Sequence, residues 1–387
     1  MKDVADFGWA ASPLGDLVDI LDRLRKPITK RDRKAGPYPY YGATGILDHV
    51  DGYLFDEPLV LIGEDGAKWE PGANSAFAID GKTWVNNHAH VIRPLREKVL
   101  DGWLIYYLNG ADLMPFISGM TVPKLNQGRL REIPIPLPPL EEQQRIVAVL
   151  DEAFEGLARA RVHAEANLQN ARALIEAGLG TAFNPVTAKL NGWDLSDLSS
   201  MAKLSYGYTT KANSEPNGPK FLRITDIQDG TVDWDNVPFC STPPDDYERY
   251  RVKSGDILFA RTGATTGKSY LMTDEIEAVA ASYLIRLRLA SMALKPEYLA
   301  LFFQSDVYWE TIRAGISGST QGGFNASKLG ELVVPVPPLA IQDVVISRLE
   351  EIQDQAARLT STYFVKLQDL DDLRQSLLQK AFAGELT

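Results

Sequence analysis

Residues 133–150 read IPIPLPPLEEQQRIVAVL, and residues 333–349 read VVPVPPLAIQDVVISRL. Both stretches hold a proline-spaced aliphatic lead, a Pro-Pro-Leu corner and a run with helical periodicity. Proline locks φ and pushes its predecessor toward extended backbone, so each lead is predicted as extended chain handing over to a helix. Sliding the chain by 199 residues superposes the two stretches, and the match continues upstream. Ile117-Ser118-Gly119 falls on Ile316-Ser317-Gly318, Asn126 on Asn325, Leu130 on Leu329 and Glu132 on Glu331. Pro136, Pro138, Pro139, Leu140 and Gln143 fall on Pro335, Pro337, Pro338, Leu339 and Gln342, with no gap from 117 to 143. With a small shift, VLIGEDGA (60–67) resembles ILFARTGA (257–264), and HVIRP (90–94) resembles YLIRL (283–287). An internal repeat of this length predicts two copies of one unit, each a domain followed by a helix.

The helices follow from the spacing of apolar residues. Val147, Leu150, Phe154, Leu157, Ala164, Leu168, Ala171 and Ile175 recur at steps of three and four, with Arg161 filling the missing place. In the second copy the seam is Val345, Leu349, Ile352, Ala356, Leu359, Tyr363, Leu367, Leu370, Leu373 and Leu377, with a break in register near Lys366. These are heptad seams, and Gly178 and Gly180 with Pro185 beyond are expected to stop the first helix. Two helices of ~40 residues, each ~60 Å long, are expected to pair as an antiparallel coiled coil with pseudo-two-fold symmetry. The fold class is α/β (α+β), with two tandem mixed domains. The predicted boundaries are 1–137 and 184–336 for the domains, and 138–183 and 337–387 for the helices. Short β-rich runs at Pro58–Gly63, Ala76–Ile79, His88–Ile92, Asp256–Ala260 and Ser282–Leu289 alternate with polar turns, and Asp101–Gly110 and Pro296–Tyr308 look helical.

Composition narrows the function. The 387 residues carry a net charge of −11 and one cysteine, Cys240, so an internal disulfide is impossible and a reducing compartment fits. No apolar run reaches the ~20 residues of a membrane helix, and no secretory leader is evident, so a cytoplasmic protein without membrane attachment is expected. Acidity argues against a simple basic nucleic-acid binder, yet RLRKPITKRDRK (23–34) holds seven cationic side chains against one aspartate. Lys30, Arg31, Arg33 and Lys34 are therefore phosphate candidates. ATTGKS (264–269) lacks the first phosphate-loop glycine, whose place is taken by Thr262. His88 and His90 would share a strand face, but no third metal ligand is apparent, and no metal site is predicted. No catalytic constellation is found.

At this point a resemblance is specific. PYYGATGILDHVDGYLFDEPLVLIGEDGAKW (39–69), TWVNNHAHVIRP (83–94) and GDILFARTGATTGKS (255–269) resemble the target-recognition domains of type I restriction-modification specificity subunits. The doubled P-x-P-P-L-x-x-Q resembles that family's spacer regions. The resemblance implies a non-catalytic subunit that reads a bipartite double-stranded DNA target, one half-site per domain. It also implies docking of two methyltransferase subunits and two motor-nuclease subunits. S-adenosylmethionine, ATP and magnesium are then expected in those partners and not in this chain. The alternatives are a non-reading scaffold or decoy of the same fold, and a nucleotide-dependent enzyme. Base readout uses polar side chains on loops facing the major groove. In the first domain the candidates are Tyr41, Thr44, Lys68, Asn74, Asn86, Asn87, His88, Lys124, Asn126 and Gln127. In the second they are Tyr208, Thr209, Lys211, Arg261, Thr262, Thr265, Thr266, Lys268, Ser319, Thr320, Gln321, Asn325 and Lys328. Asn126 and Asn325 match across the repeat and read equally well as scaffold, whereas Lys124 and Gln127 differ from Gly323 and Ala326 and suit specificity better.

Overall fold

The computed structural model describes residues 9–119, 121–228, 230–317 and 323–386. The chain divides into two compact units, Met1–Ala166 with Tyr363–Thr387, and Asn167–Thr362.

The first unit is built on β1 (Val18–Ile20), β2 (Leu59–Gly63), β3 (Ala76–Ile79) and β4 (Ala89–Pro94), in the order β1-β4-β2-β3 and antiparallel throughout. The second unit repeats this with β5 (Ala202–Tyr206), β6 (Ile257–Ala260), β7 (Ser269–Leu271) and β8 (Leu284–Leu289), in the order β5-β8-β6-β7. The central strands VLIG and ILFA read as unbroken apolar runs because both faces of each sheet are covered. Val60 and Ile62 face the helical core while Leu59 and Leu61 face a second sheet. Ile257 and Phe259 divide from Leu258 and Ala260 in the same way. In each unit the second sheet has four strands and holds one parallel pair, at Tyr40–Tyr41 with Trp84–Val85 and at Lys220–Leu222 with Ala278–Ala280.

The register corrects one detail of the repeat. Val60 pairs with Ile92, and Ile257, its match, pairs with Leu287. HVIRP therefore corresponds to residues 285–289, two places beyond YLIRL. A slip of two residues leaves every side chain on the same face, so alternation alone cannot detect it. The corrected register aligns Arg93 with Arg288. Each makes a two-pronged pair with a carboxylate, Glu57 (2.7 and 2.8 Å) and Asp256 (2.5 and 2.6 Å).

The proline leads are short strands. Pro134–Pro136 pairs with Ala11–Pro13, and Val333–Val336 with Asp194–Asp197. Two-stranded pairing leaves one edge open, where a proline costs no ladder bond. Past the prolines begin the long helices α2 (Leu140–Ala182) and α4 (Leu339–Phe382), named after α1 (Asp101–Gly110); α3 is Pro296–Phe302. Gln143 and Gln342, both with 0% exposure, make the same three bonds. Gln143 Oε1 accepts from Leu100 N (3.0 Å), and its Nε2 donates to the carbonyls of Lys98 (3.0 Å) and Pro138 (2.9 Å). Gln342 Oε1 accepts from Lys295 N (2.9 Å), and its Nε2 donates to Ala293 (2.7 Å) and Pro337 (2.8 Å).

Within the first unit the opening part of α2 meets the closing part of α4, antiparallel. Arg145 donates to Leu386 O, the Arg374 guanidinium lies over the Phe154 ring, and Arg161 pairs with Asp371. Phe382 sits edge-on to Trp103 and Tyr107 of α1, with ring centroids 4.9 and 5.2 Å away. Within the second unit Phe183, 199 residues earlier, does the same to Tyr298 (5.1 Å) and Phe302 (5.6 Å) of α3. Val147, Leu150, Phe154, Leu157, Leu168 and Ile175 all lie buried or half-buried, as do Val345, Leu349, Ile352, Leu367 and Leu370. Leu359 is 37% exposed and Leu373 48%. After Leu370 the inward stripe steps to Arg374, Leu378 and Ala381, which leaves Leu373 outside.

Two helix boundaries differ from expectation. The first long helix runs through Gly178 and Gly180. A Cβ at Gly178 would come 3.1 and 3.2 Å from the Leu349 and Ile352 methyls, so that glycine serves close helix approach rather than termination. Pro296–Tyr308 is not one helix: α3 ends at Phe302, and a new helix starts at Asp306 after Ser305, whose Oγ bonds Phe302 O (2.7 Å).

Replacing Gln143 by Leu strands the Leu100 N–H and two carbonyls. Urea denaturation should show a loss of about 3 kcal/mol, with a similar loss for Gln342→Leu; losses below about 1 kcal/mol would show that the amides are dispensable.

Candidate nucleic-acid interface

The antiparallel register puts the C-terminal ends of β1 and β2 and the N-terminal ends of β3 and β4 at one edge of the first sheet, since Ile20 faces Ile92, Gly63 faces Ala89, and Ile62 faces Ala76. Loops 21–34, 64–75 and 86–88 leave from that edge. Segment 124–127 is clipped to it by Leu125 N donating to Glu64 O (2.8 Å). In the second unit the same edge gathers 207–211, 261–268 and 281–283, with Phe324 N donating to Arg261 O (2.9 Å). Most candidate residues therefore converge on one end of one sheet in each unit.

Their individual settings differ. In the first unit Thr44, Lys68 and Asn87 are exposed. Asn86 is buried, and its Oδ1 accepts from His88 N (2.8 Å), so it shapes the turn. His88 lies in that turn just ahead of β4, exposed and paired with Asp65. Tyr41 packs on Phe77 (6.0 Å), and burial raises its phenol pKa. Asn126 donates to Ser118 Oγ (2.6 Å), and Asn74 accepts from Arg374 (3.2 Å). In the basic run Lys30, Arg31 and Lys34 point outward, while Arg33 turns inward over the Tyr40 ring (4.4 Å) toward Asp48 (3.3 Å). In the second unit Thr209, Lys211 and Lys268 are exposed, and Arg261, Thr262, Thr265 and Tyr208 half-exposed. Thr266 is buried, its Oγ1 bonding Gly263 O (2.8 Å). Asn325 caps the helix Ala326–Gly330 by accepting from Lys328 N (2.9 Å), and Lys328 Nζ donates to Gly315 O (2.9 Å). Ser319, Thr320 and Gln321 lie outside the described residues. Gly267-Lys268-Ser269 leads into strand β7 and not a helix, so the helix N-terminus that a phosphate loop requires does not follow.

Sequence reading missed a charged network beneath the first edge. His90 is fully buried; its Nδ1 faces Asp22 Oδ2 (2.6 Å) and its Nε2 the carbonyl of Leu125 (2.7 Å). That carbonyl can only accept, so Nε2 is the donor to it. Glu64 takes Arg25 (2.5 Å) and Lys124 (2.8 Å), and Gln127 donates to Asp22 Oδ2 (2.9 Å). Lys124 and Gln127 thus both serve this network. Burial pushes the Asp22 carboxyl up, but bonds from His90, Gln127 and the Val91 amide, with the charge of His90, outweigh it and hold the pKa below the usual range. At Glu64 burial is likewise outweighed, by Lys124, Arg25 and His90. Asp22, Glu64 and His90 bring ligand-type atoms within 4.8 Å of one another, and Arg25 and Lys124 already set two cations against them. Asp22 and Glu64 come from separate loops with no spacing motif, which is why the third and fourth members were invisible beside the His88-Ala89-His90 triplet.

The comparisons agree with this geometry. The family described as Type I restriction modification DNA specificity domain matches residues 7–162 and again 191–363. The chain is 40% identical over 139 residues to a putative type I restriction enzyme specificity subunit of Haemophilus influenzae, covering 36% of each protein. It is 25% identical over 350 residues to the EcoKI specificity subunit of Escherichia coli K12, covering 86% of this chain and 75% of the relative. A solved chain from a study of assembly and conformational transition in the type I R-M system shares the fold, with TM-score 0.73, 22% identity and 98% coverage of both chains. The HsdS subunit of Thermoanaerobacter tengcongensis does so with TM-score 0.62 and 19% identity, over 98% of this chain and 97% of that one. Two copies of one sheet with differing loops at a shared edge define a tandem recognition protein. The chain belongs to the type I restriction-modification DNA specificity family, whose relatives here are specificity subunits, non-catalytic components of their complexes.

Because both carboxyls are held low, their stabilisation is complete above the ordinary carboxylate range and is lost as pH falls through and below it. Asp22→Asn should lower stability at pH 7 by about 3 kcal/mol, and its difference from the parent should shrink as pH drops below about 4. Urea denaturation across pH checks both. A difference independent of pH would place the stabilisation elsewhere.

Proposed function

We propose that each unit reads one half of a bipartite double-stranded DNA target through the loops at its sheet edge. The observation that carries this reading is the contrast between frame and edge. The frames repeat down to the buried glutamines and the Arg93–Glu57 and Arg288–Asp256 pairs. The edges differ, with an ion network in the first unit and an aromatic-backed arginine in the second. Two different half-sites need a common support and unlike contacts.

The chain works in the cytoplasm beside two methyltransferase subunits and two motor-nuclease subunits. S-adenosylmethionine, ATP and magnesium belong to those partners. Among the described residues no helix is long and apolar enough to cross a membrane. A net charge of −11 makes DNA affinity depend on local clusters, such as Lys30, Arg31 and Lys34, and on phosphate contacts added by partners.

Sequencing of modified bases in cells with and without the chain, alongside its methyltransferase, should reveal one asymmetric split motif that disappears with the chain. A motif set indifferent to the chain would end this reading and favour the decoy. In gel-shift titrations of the assembled methyltransferase, Lys68→Ala should weaken all sequences about equally and reduce the log-salt slope by about one. Weakening confined to one base position would move Lys68 from phosphate contact to readout.

A further inference from the structure

Glu64 and Arg261 occupy equivalent places, each just past the last residue of a central strand. Each backbone carbonyl accepts from the matching residue of the repeat, Leu125 or Phe324. Their side chains have opposite settings. The Glu64 carboxylate is consumed by Arg25 and Lys124. The Arg261 guanidinium lies over the Tyr206 ring (4.9 Å), and its Nε is buried without a hydrogen-bond partner. Among the described residues no carboxylate pairs with Arg261. Tyr206 and Tyr283 beside it remain 44% and 59% exposed.

This setting has a chemical meaning. A guanidinium anchored over an aromatic ring, with its Nε buried, has little rotamer entropy left to lose when it binds. With Nε buried, the two terminal nitrogens remain for an outside ligand, side by side. They fit two acceptors presented together, as guanine presents N7 and O6 in the major groove. Position separates a base from a phosphate. β6 is an inner strand of its sheet, flanked by β8 and β7, so Arg261 rises from the middle of the edge, while Lys211 and Lys268 stand on its loops.

We propose that Arg261 reads a guanine in the half-site addressed by the second unit, an inference that rests on the chain being a DNA specificity subunit. The test is motif mapping of methylated bases in cells carrying the full chain and its methyltransferase partner, comparing the parent with Arg261→Ala and Arg261→Lys. The parent motif should contain an obligatory G·C pair in one half. Both variants should relax that one position, cutting discrimination against other bases roughly 10- to 100-fold, and leave the other half unchanged. Arg261→Lys keeps the charge without the paired donors, so it carries the test should the alanine variant fold poorly. A uniform fall in methylation with every position retained would make Arg261 a phosphate contact and overturn the proposal. So would a motif in which neither variant relaxes a G·C pair. A motif indifferent to the whole chain would instead overturn the broader reading.

Discussion

Two primary amides with no exposure to solvent decide where each long helix begins. Gln143 and Gln342 each join three pieces of backbone: the proline corner behind the helix, the loop ahead of α1 or α3, and the helix itself. A buried amide that fails to find its partners costs more than one exposed to water, so a displaced corner is strongly disfavoured. The short proline strands dock on the opening strand of their own unit and bring the corner within reach of that amide. The direction of each helix, and with it the approach of Phe382 to Trp103 or Phe183 to Tyr298, follows from this contact.

Above that frame the two units part company through electrostatics. The first edge pairs its charges internally: Asp22 and Glu64 are met by His90, Arg25 and Lys124, and Gln127 is drawn in as well. The second keeps Arg261 on an aromatic bed. The substitution of an arginine for a glutamate at one matched position changes what the loops around it must supply.

Much of this was legible in the residues because it repeats. A gapless match from 117 to 143 at an offset of 199 residues exposed the duplication, and the three-and-four spacing from Val147 to Ile175 marked a stripe that is inward-facing in the structure. What stayed hidden has physical causes. Apolar spacing does not reveal that Arg374 replaces Leu373 on the inward stripe, because a long side chain can bury its stem while its charge finds Gly72 O and Asn74. Gly178 looks like a stop until its neighbour's methyls are seen. The two-residue slip of β8 preserves alternation. The partners of His90 lie 26 and 68 residues away along the chain, and nothing local connects them.

The first unit takes its last contribution from residues 363–387, which are synthesised after the whole of the second unit. Leu378, Ala381 and Phe382 are part of its core. On the ribosome, therefore, the domain whose strands emerge first is the one completed last. Until then Trp103 and Tyr107 have no Phe382 to cover them, while Phe183 reaches Tyr298 and Phe302 within a unit whose residues are consecutive. Order of synthesis and order of closure run opposite to one another, so a nascent chain holds an open aromatic socket through most of its own production.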